Sequence, residues 1–124
     1  MQRQRRRDTR PELAVRQGLH SKGLRYRVGY PVPGLPRRSI DVAFPRARLA
    51  VQVLGCFWHG CPQHMTWPQA NAQWWHDKIQ ANIARDTETR THLEELGWRV
   101  VWVWEHESSH EAVDRIVQEY QRHA

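Results

Sequence analysis

The stretch that decides the fold is residues 40–54, which read IDVAFPRARLAVQVL. It contains two apolar runs, 40–44 and 49–54, separated by the short segment PRAR. Short apolar runs on either side of a turn are typical of the paired strands of a β-hairpin. Each run carries one polar residue, Asp41 in the first and Gln52 in the second. We therefore predict a hairpin whose two strands each hold one polar side chain.

The segment before this hairpin begins with a helix signal. Thr9 and Glu12 match a capping box, in which a hydroxyl residue precedes a glutamate by three positions. The pattern predicts a helix that ends near His20 and buries Leu13 and Leu19. After it we expect a short strand and then a loop rich in proline and glycine, over residues 24–28 and 29–38.

The segment after the hairpin predicts a helix, a strand and a second helix. Residues 71–96 lack glycine and proline, and residues 98–104 (WRVVWVW) form the clearest strand of the chain. Ser108 and Glu111 form a second capping box. The predicted inner positions are Trp75, Ile79, Ile83 and Leu93 in the first helix, and Ala112, Val113, Ile116, Val117 and Tyr120 in the second. The order α-β-β-β-α-β-α therefore predicts an α/β fold with a mixed β-sheet flanked by helices.

Length and hydropathy limit the class of protein. The chain has 124 residues, enough for one domain and too few for two. We expect a basic N-terminal arm over residues 1–8 and a single domain over residues 9–124. No apolar stretch approaches the ~20 residues needed to span a bilayer, and the first residues lack a signal-peptide pattern. We therefore expect a soluble cytoplasmic protein without a membrane partner.

The positive charge and the aromatic content favour a nucleic-acid partner. Nineteen Lys and Arg residues stand against 13 Asp and Glu residues, for a formal net charge of +6. A basic domain attracts phosphates, and the seven tryptophans beside these arginines are suitable for stacking on bases. The alternative is a solvated basic surface without a specific partner.

Residues 55–64, GCFWHGCPQH, hold both cysteines of the chain. Cys56, Cys61 and His64 supply three zinc ligands, and His106 is the best candidate for the fourth. Two Cys and two His in a tetrahedral arrangement are typical of structural zinc sites. A chain without an export signal favours metal ligation over a disulfide. The alternative is two free cysteines with ordinary loop histidines.

Four other residues are candidates for catalysis. Asp41 is costly inside an apolar strand unless it is paired, hydrogen-bonded or bound to a cation. A carboxylate that binds Mg²⁺ would indicate metal-assisted phosphodiester cleavage, whereas an edge-strand aspartate facing water is the alternative. His59 is a candidate general base or an ordinary hydrogen-bonded loop histidine. Glu12 and Asp86 are weaker candidates, since each lies on a predicted helix where exposure is the default.

With these residues, the chain resembles the very short patch repair (Vsr) endonucleases, a family of the PD-(D/E)xK nuclease superfamily. The resemblance extends over about residues 8–107. It is densest in five separated blocks: residues 8–12, 55–64, 74–79, 82–86, and 97–101 with 104–106. It implies a restriction-endonuclease-like core with a structural zinc site, in a bacterial cytoplasmic protein that acts on the nucleoid.

The resemblance also implies an activity and the residues that carry it. Vsr enzymes nick the T-containing strand of T:G mismatches left by deamination of 5-methylcytosine. By position, Asp41 and the backbone carbonyl of Val53 would hold a catalytic Mg²⁺. His59 would be the catalytic imidazole, and Asp86 its orienting partner. Glu12 would lie near the same network of water and metal.

The expected partner is double-stranded DNA with a T:G mismatch, bound by a monomer. Aromatic side chains would wedge into the duplex beside the mismatch, where unstacking a base step costs least. The expected DNA contacts, aromatic and basic, are Phe57, Trp58, Trp75, Lys78, Arg5, Arg6 and Arg7.

Leu54 is a departure from the family pattern, which commonly has His or Asp before the glycine that begins the Cys/His segment. Gln52 stands where an apolar residue is usual. Residues two apart in a strand share a face, which leaves open whether Gln52 reaches the site in place of residue 54. Two alternatives follow: a catalytically weakened, zinc-bearing DNA-binding module, or a related nuclease of restriction or phage defence that acts on paired DNA.

Overall fold

The computed structural model describes residues 10–55 and 70–123 of the chain. The elements are α1 (Arg10–Ser21), β1 (Arg27–Val32), β2 (Leu35–Phe44), β3 (Leu49–Leu54), α2 (Ala72–Glu95), β4 (Arg99–Trp104) and α3 (Ser109–His123). The predicted order α-β-β-β-α-β-α is therefore confirmed. Within this part of the chain, no helix is both long and apolar enough to cross a membrane.

The four strands form one mixed sheet in the order β1-β2-β3-β4. β2 pairs antiparallel with β1 and with β3, whereas β3 and β4 pair in parallel. Parallel neighbours need a crossover connection, which here includes α2. The predicted hairpin of β2 and β3 and the mixed sheet are both confirmed.

The helices cover both faces of this sheet. The first core cluster combines α1 and α3 with one face: Val15, Leu19, Val42, Phe44, Leu49, Val51, Val101, Val103, Ala112, Val113 and Ile116. The second combines α2 with the other face: Val32, Ile40, Ala43, Ala50, Leu93, Trp98 and Val100. The result is an α/β fold that is consistent with a restriction-endonuclease-like core.

The predicted proline-rich loop is a β-hairpin, so that prediction is wrong. β1 extends to Val32, the turn consists of Pro33 and Gly34, and β2 begins at Leu35. Gly34 has a φ of 85°, which glycine adopts without steric cost. Pro31 is tolerated because β1 is an edge strand, where a missing N–H need not remove a ladder bond.

Two side chains attach this hairpin to α2. Arg38 donates from Nη1 to Thr89 Oγ1 at 3.1 Å, and its Nη2 lies 2.8 Å from Glu88 Oε1. His92 Nε2 lies 2.6 Å from the carbonyl oxygen of Pro33. The hairpin is therefore anchored both at its turn and along β2.

The buried face of α1 differs from the prediction by one position. Leu19 is buried as predicted, but Leu13 is 41% exposed and Glu12 is only 1% exposed. Positions 12, 15 and 19 form one stripe of a helix, and each residue step rotates the side chain by about 100°. The capping motif identified the helix, but it did not fix which side of the helix faces the sheet.

The outer edge of β4 is covered by a polar side-chain pair. Glu107 Oε2 accepts the Trp104 N–H at 2.9 Å, and Arg115 Nη2 donates to the Trp102 carbonyl at 2.6 Å. Arg115 Nη1 also donates to Glu107 Oε1 at 2.8 Å. Burial raises the pKa of Glu107, but these hydrogen bonds and the neighbouring positive charges hold the pKa below its ordinary value. The pair occupies the place of a further strand and blocks edge-to-edge association.

Candidate active site

Asp41 lies where the backbone ladder between β2 and β3 ends. The last backbone pair is Val42 with Val51, and the same register would place Asp41 opposite Gln52 and then Ile40 opposite Val53. Instead, the Val53 N–H donates to Asp41 Oδ2 at 2.8 Å. This bond supplies a partner that a carboxylate inside an apolar strand requires.

Gln52 also makes side-chain bonds at this place. Its Oε1 accepts the Asp41 N–H at 2.8 Å, and its Nε2 donates to the carbonyl oxygen of Ser39 at 3.1 Å. The sequence identified Gln52 as a polar interruption and left open whether its side chain reaches the site. The structure adds that the side chain contacts the backbone of Asp41 and of Ser39, two residues before it in β2.

The other neighbour of Asp41, β1, is also irregular. The register that pairs Val28 with Val42 and Tyr30 with Ile40 leaves Gly29 opposite Asp41. Gly29 has a φ of 64°, a left-handed conformation that favours glycine. Next to it, Ile40 belongs to the core cluster of α2, whereas Val42 belongs to the cluster of α1 and α3. In a regular strand the side chains of residues 40 and 42 would point to the same face of the sheet. The alternation of side chains in β2 is therefore interrupted at Asp41.

The Cys/His segment begins beside the end of β4. The Glu105 N–H donates to the Leu54 carbonyl at 2.9 Å, which extends the pairing of β3 and β4. A Cβ added to Gly55 would lie 3.7 Å from Glu105 Oε1. The chain therefore enters the Cys/His segment next to Glu105, one residue before the exposed His106. Leu54 itself is 4% exposed and belongs to the buried core.

The inner face of α2 carries polar residues beside apolar ones. Its buried positions are Ile79, Asn82, Thr89 and Leu93, whereas Ile83, predicted to face inward, is half-buried. Asp86 is also half-buried, at the position between Asn82 and Thr89 on the same stripe. Asp86 therefore lies on the side of α2 that faces the sheet, and not on the exposed side that is the default for an acidic helix residue.

Glu12 is the buried acidic residue of α1. Its Oε2 lies 3.9 Å from Arg16 Nη2, and the side chains are 1% and 13% exposed. Because α1 and α2 cover opposite faces of the sheet, Glu12 and Asp86 approach the sheet from opposite sides. Within residues 10–55 and 70–123, no group of three or more His, Cys, Asp or Glu side chains is arranged to hold a metal ion.

The beginning of α2 presents an aromatic pair next to a positive charge. Trp75 is half-buried, and its ring lies 4.7 Å from that of Trp74 with an angle of 87° between the planes. Trp74 is 57% exposed, and Lys78 is exposed one turn further along the helix. The predicted contacts Trp75 and Lys78 therefore lie on one end of α2. Trp74 was not among the predicted DNA contacts, although a tryptophan adjacent to a half-buried one projects from another side of the helix.

Comparison with known proteins identifies the family. Residues 1–65 match the family model described as DNA mismatch endonuclease Vsr. The chain is 39% identical over 120 residues to the type II nicking enzyme V.NaeI of Lentzea aerocolonigenes, covering 94% of this chain and 72% of that enzyme. This chain belongs to the Vsr family. It is also 44% identical over 111 residues to the type II nicking enzyme V.XorIIP of Xanthomonas oryzae pv. oryzae, covering 88% of this chain and 79% of that enzyme.

The DNA mismatch endonuclease Vsr of Escherichia coli is 36% identical over 104 residues, covering 80% of this chain and 62% of that protein. Membership in the Vsr family makes the protein a DNA endonuclease, and therefore a DNA-binding hydrolase of the DNA-repair class. The Vsr family, predicted from five separated blocks of sequence, is confirmed.

Several predicted site residues lie outside the residues that the structure describes: Arg5, Arg6, Arg7, Cys56, Phe57, Trp58, His59, Cys61 and His64. Their roles stay predictions, as does the zinc site, which needs three of them. Of the predicted residues that the structure does describe, it brings Asp41 and Val53 into direct contact.

Proposed function

We propose that this Vsr-family endonuclease nicks the T-containing strand at T:G mismatches by Mg²⁺-assisted hydrolysis of a phosphodiester bond. The observation that carries the proposal is the position of Asp41 at the end of the β2–β3 ladder, with its carboxylate against the backbone of Val53. The T:G substrate is the part taken from the family description and from the name of the E. coli relative.

The donor set at this position fits Mg²⁺. The N–H and the C=O of one strand residue point toward the same neighbouring strand. Because the Val53 N–H reaches Asp41, this rule supports a Val53 carbonyl directed to the same side. A carboxylate and a carbonyl are hard oxygen ligands of the kind that Mg²⁺ takes, with water and phosphate oxygens completing its shell. When bound there, Mg²⁺ would neutralise charge that develops on the phosphate oxygens.

The remaining steps are assigned to side chains of this chain. His59 would take the proton of the attacking water as a general base. Asp86, on the inward side of α2, would orient that imidazole. Glu12 approaches from the opposite face of the sheet and would hold water at the strand ends, near the same centre. Phe57, Trp58 and Trp75 would insert beside the mismatched base pair.

A structural zinc ion would stabilise the segment that carries His59. Cys56, Cys61, His64 and His106 are the proposed ligands. The approach of Gly55 to Glu105 supports this set, because it brings the start of the Cys/His segment close to the residue before His106. His106 itself is an exposed residue that directly follows Glu105.

The test compares one T:G duplex with its matched C:G control, with Mg²⁺ or with EDTA. Asp41→Asn keeps an oxygen acceptor for the Val53 N–H and removes the charge. Loss of several kcal/mol of charge stabilisation predicts nicking that is slower by about 10²-fold or more, with DNA binding retained. The matched control is Asp114→Asn on α3, where the carboxylate is 48% exposed and 3.9 Å from Lys22 Nζ. Undiminished nicking by Asp41→Asn would refute the proposed metal position, and elemental analysis of the same samples should give one zinc per chain.

The same assay separates the alternatives. Equal cleavage of the C:G control would indicate a nuclease for paired DNA. Binding to the T:G duplex without product at any Mg²⁺ concentration would indicate a DNA-binding module. Leu54→His would then be the decisive variant, because the buried leucine supplies no polar group at that position.

A further inference from the structure

Gln52 spans the end of the ladder with both ends of its side-chain amide. Its Oε1 accepts the Asp41 N–H, and its Nε2 donates to the Ser39 carbonyl. Because a backbone N–H only donates and a backbone carbonyl only accepts, these partners determine which end of the amide is oxygen. The two bonds attach residues 39–41 of β2 to β3 at a position where the backbone pairs have ended.

Asp41 is consequently held at two points. Its backbone N–H is fixed by the side chain of Gln52, and its carboxylate oxygen is fixed by the backbone of Val53. Gln52 and Val53 are adjacent in β3, so one short segment determines both the position and the direction of the aspartate.

We infer that Gln52 is a positioning residue that holds the Asp41 carboxylate in place for the cleavage reaction. This inference rests on the proposed function, because it assigns Gln52 a task only if Asp41 binds the divalent ion. Gln52 acts through Asp41 and not on the scissile phosphate. Groups that orient a metal ligand in this way change metal affinity or activity by about 10–100-fold when they are removed.

The requirement for a glutamine follows from the geometry of the two bonds. Removing the amide takes these partners away from the Asp41 N–H and the Ser39 carbonyl. Both groups must then bond to water or to other polar groups nearby. Either outcome lets β2 shift relative to β3. A displacement of about 1 Å at a reacting group costs about 10²-fold in rate.

The decisive experiment uses Gln52→Met, which has nearly the same length and no amide. Mn²⁺ binding to the 124-residue protein, as purified and with its zinc content measured, is followed by loss of the free-ion EPR signal, with Asp41→Asn as the baseline for loss of the site. We expect the Mn²⁺ dissociation constant to rise about tenfold or more, and the Mg²⁺ concentration for half-maximal nicking to rise with it. The matched control is Gln118→Met at an exposed position of α3, which should leave both values unchanged.

A purely structural role would lower the melting temperature of Gln52→Met and leave its Mn²⁺ affinity at the wild-type value, and that result would overturn the inference. Gln52→Asn provides a second variant if Gln52→Met does not fold. It keeps the amide but is one methylene too short to reach both partners, so it should also weaken Mn²⁺ binding. Wild-type affinity in a folded Gln52→Asn would likewise overturn the inference.

The experiment separates this inference from the proposed function. If Asp41→Asn loses Mn²⁺ binding and nicking while Gln52→Met keeps both, the proposed function stands and the positioning role is wrong. If Asp41→Asn binds Mn²⁺ and nicks like the wild type, the proposed metal position is wrong, and the role of Gln52 is overturned with it.

Discussion

The crossing of α1 and α3 offers a quantitative test of the packing. At Gly18, an added Cβ would lie 2.6 Å from Val113 Cγ2. Carbon atoms in favourable contact are about 3.5–4.0 Å apart, so Gly18→Ala requires a displacement of about 1 Å. Val113 is 4% exposed and β-branched, and it cannot rotate away without disturbing the core.

Two opposing terms determine the effect of Gly18→Ala on the free energy of unfolding. Replacing glycine by alanine within a helix stabilises by about 1 kcal/mol. Overpacking a core costs about 1–3 kcal/mol, and a contact this short belongs to the upper part of that range. We expect a net destabilisation of about 1–2 kcal/mol, or a melting temperature lower by roughly 4–8 °C.

Val113→Ala removes the obstructing methyl group and provides the double-mutant cycle. The single Val113→Ala variant should lower the free energy of unfolding by about 2 kcal/mol, through lost burial and a residual cavity. In the double variant the added methyl of Gly18→Ala occupies part of that cavity. The destabilisation of the double variant should therefore be smaller than the sum for the two single variants by about 1–3 kcal/mol. Urea unfolding measured by circular dichroism gives all four free energies. A Gly18→Ala variant that is more stable than the wild type by about 1 kcal/mol would refute the close packing of the two helices.

Two further variants test the contacts that hold the edges of the sheet. His92→Ala removes the bond to the Pro33 carbonyl and should lower the free energy of unfolding by about 1 kcal/mol. The control His110→Ala removes a side chain that is 80% exposed and should have no measurable effect. Equal effects of the two variants would contradict the anchoring of the hairpin. Arg115→Met removes the bond to the Trp102 carbonyl and should lower the free energy of unfolding by about 1 kcal/mol in the same urea titration. It should also increase the apparent mass in sedimentation, because the edge of β4 becomes accessible to another chain. An unchanged stability together with an unchanged mass would show that the Arg115–Glu107 pair does not protect this edge.

The order of the elements was predictable because most of them carry independent local signals. The Ser108 capping box is an example, since Ser108 Oγ accepts the Glu111 N–H at 3.4 Å as the motif predicts. The β1–β2 hairpin was not predictable from its prolines, because whether proline is tolerated depends on which strand lies at the edge of the sheet. That position is a property of the assembled sheet, as is the side of α1 that faces it.

The candidate site was predictable in its residue types and not in its contacts. Asp41 and Gln52 were visible as polar residues inside apolar runs. Their hydrogen bonds depend on where the backbone ladder ends, and no local pattern encodes that position. The inward position of Asp86 likewise depends on which stripe of α2 faces the sheet, and the amphipathic signal of this helix is weakened by the polar residues Asn82 and Thr89 on its buried side.

The features at the end of the ladder are individually unfavourable and mutually consistent. A carboxylate and an amide inside apolar strands, and a left-handed residue opposite them, each cost stability when taken alone. Here the amide of Gln52 bonds to the backbone of Asp41 and Ser39, and the carboxylate of Asp41 bonds to the backbone of Val53. Gly29, opposite Asp41 in β1, adopts the left-handed conformation at the point where β2 changes the faces of its side chains. Natural sequences retain local conflicts of this kind mainly at functional sites. An entirely apolar pair of strands would be expected to continue the ladder through Ile40 and Val53, and the end of the ladder, where Asp41 meets the backbone of β3, would not form.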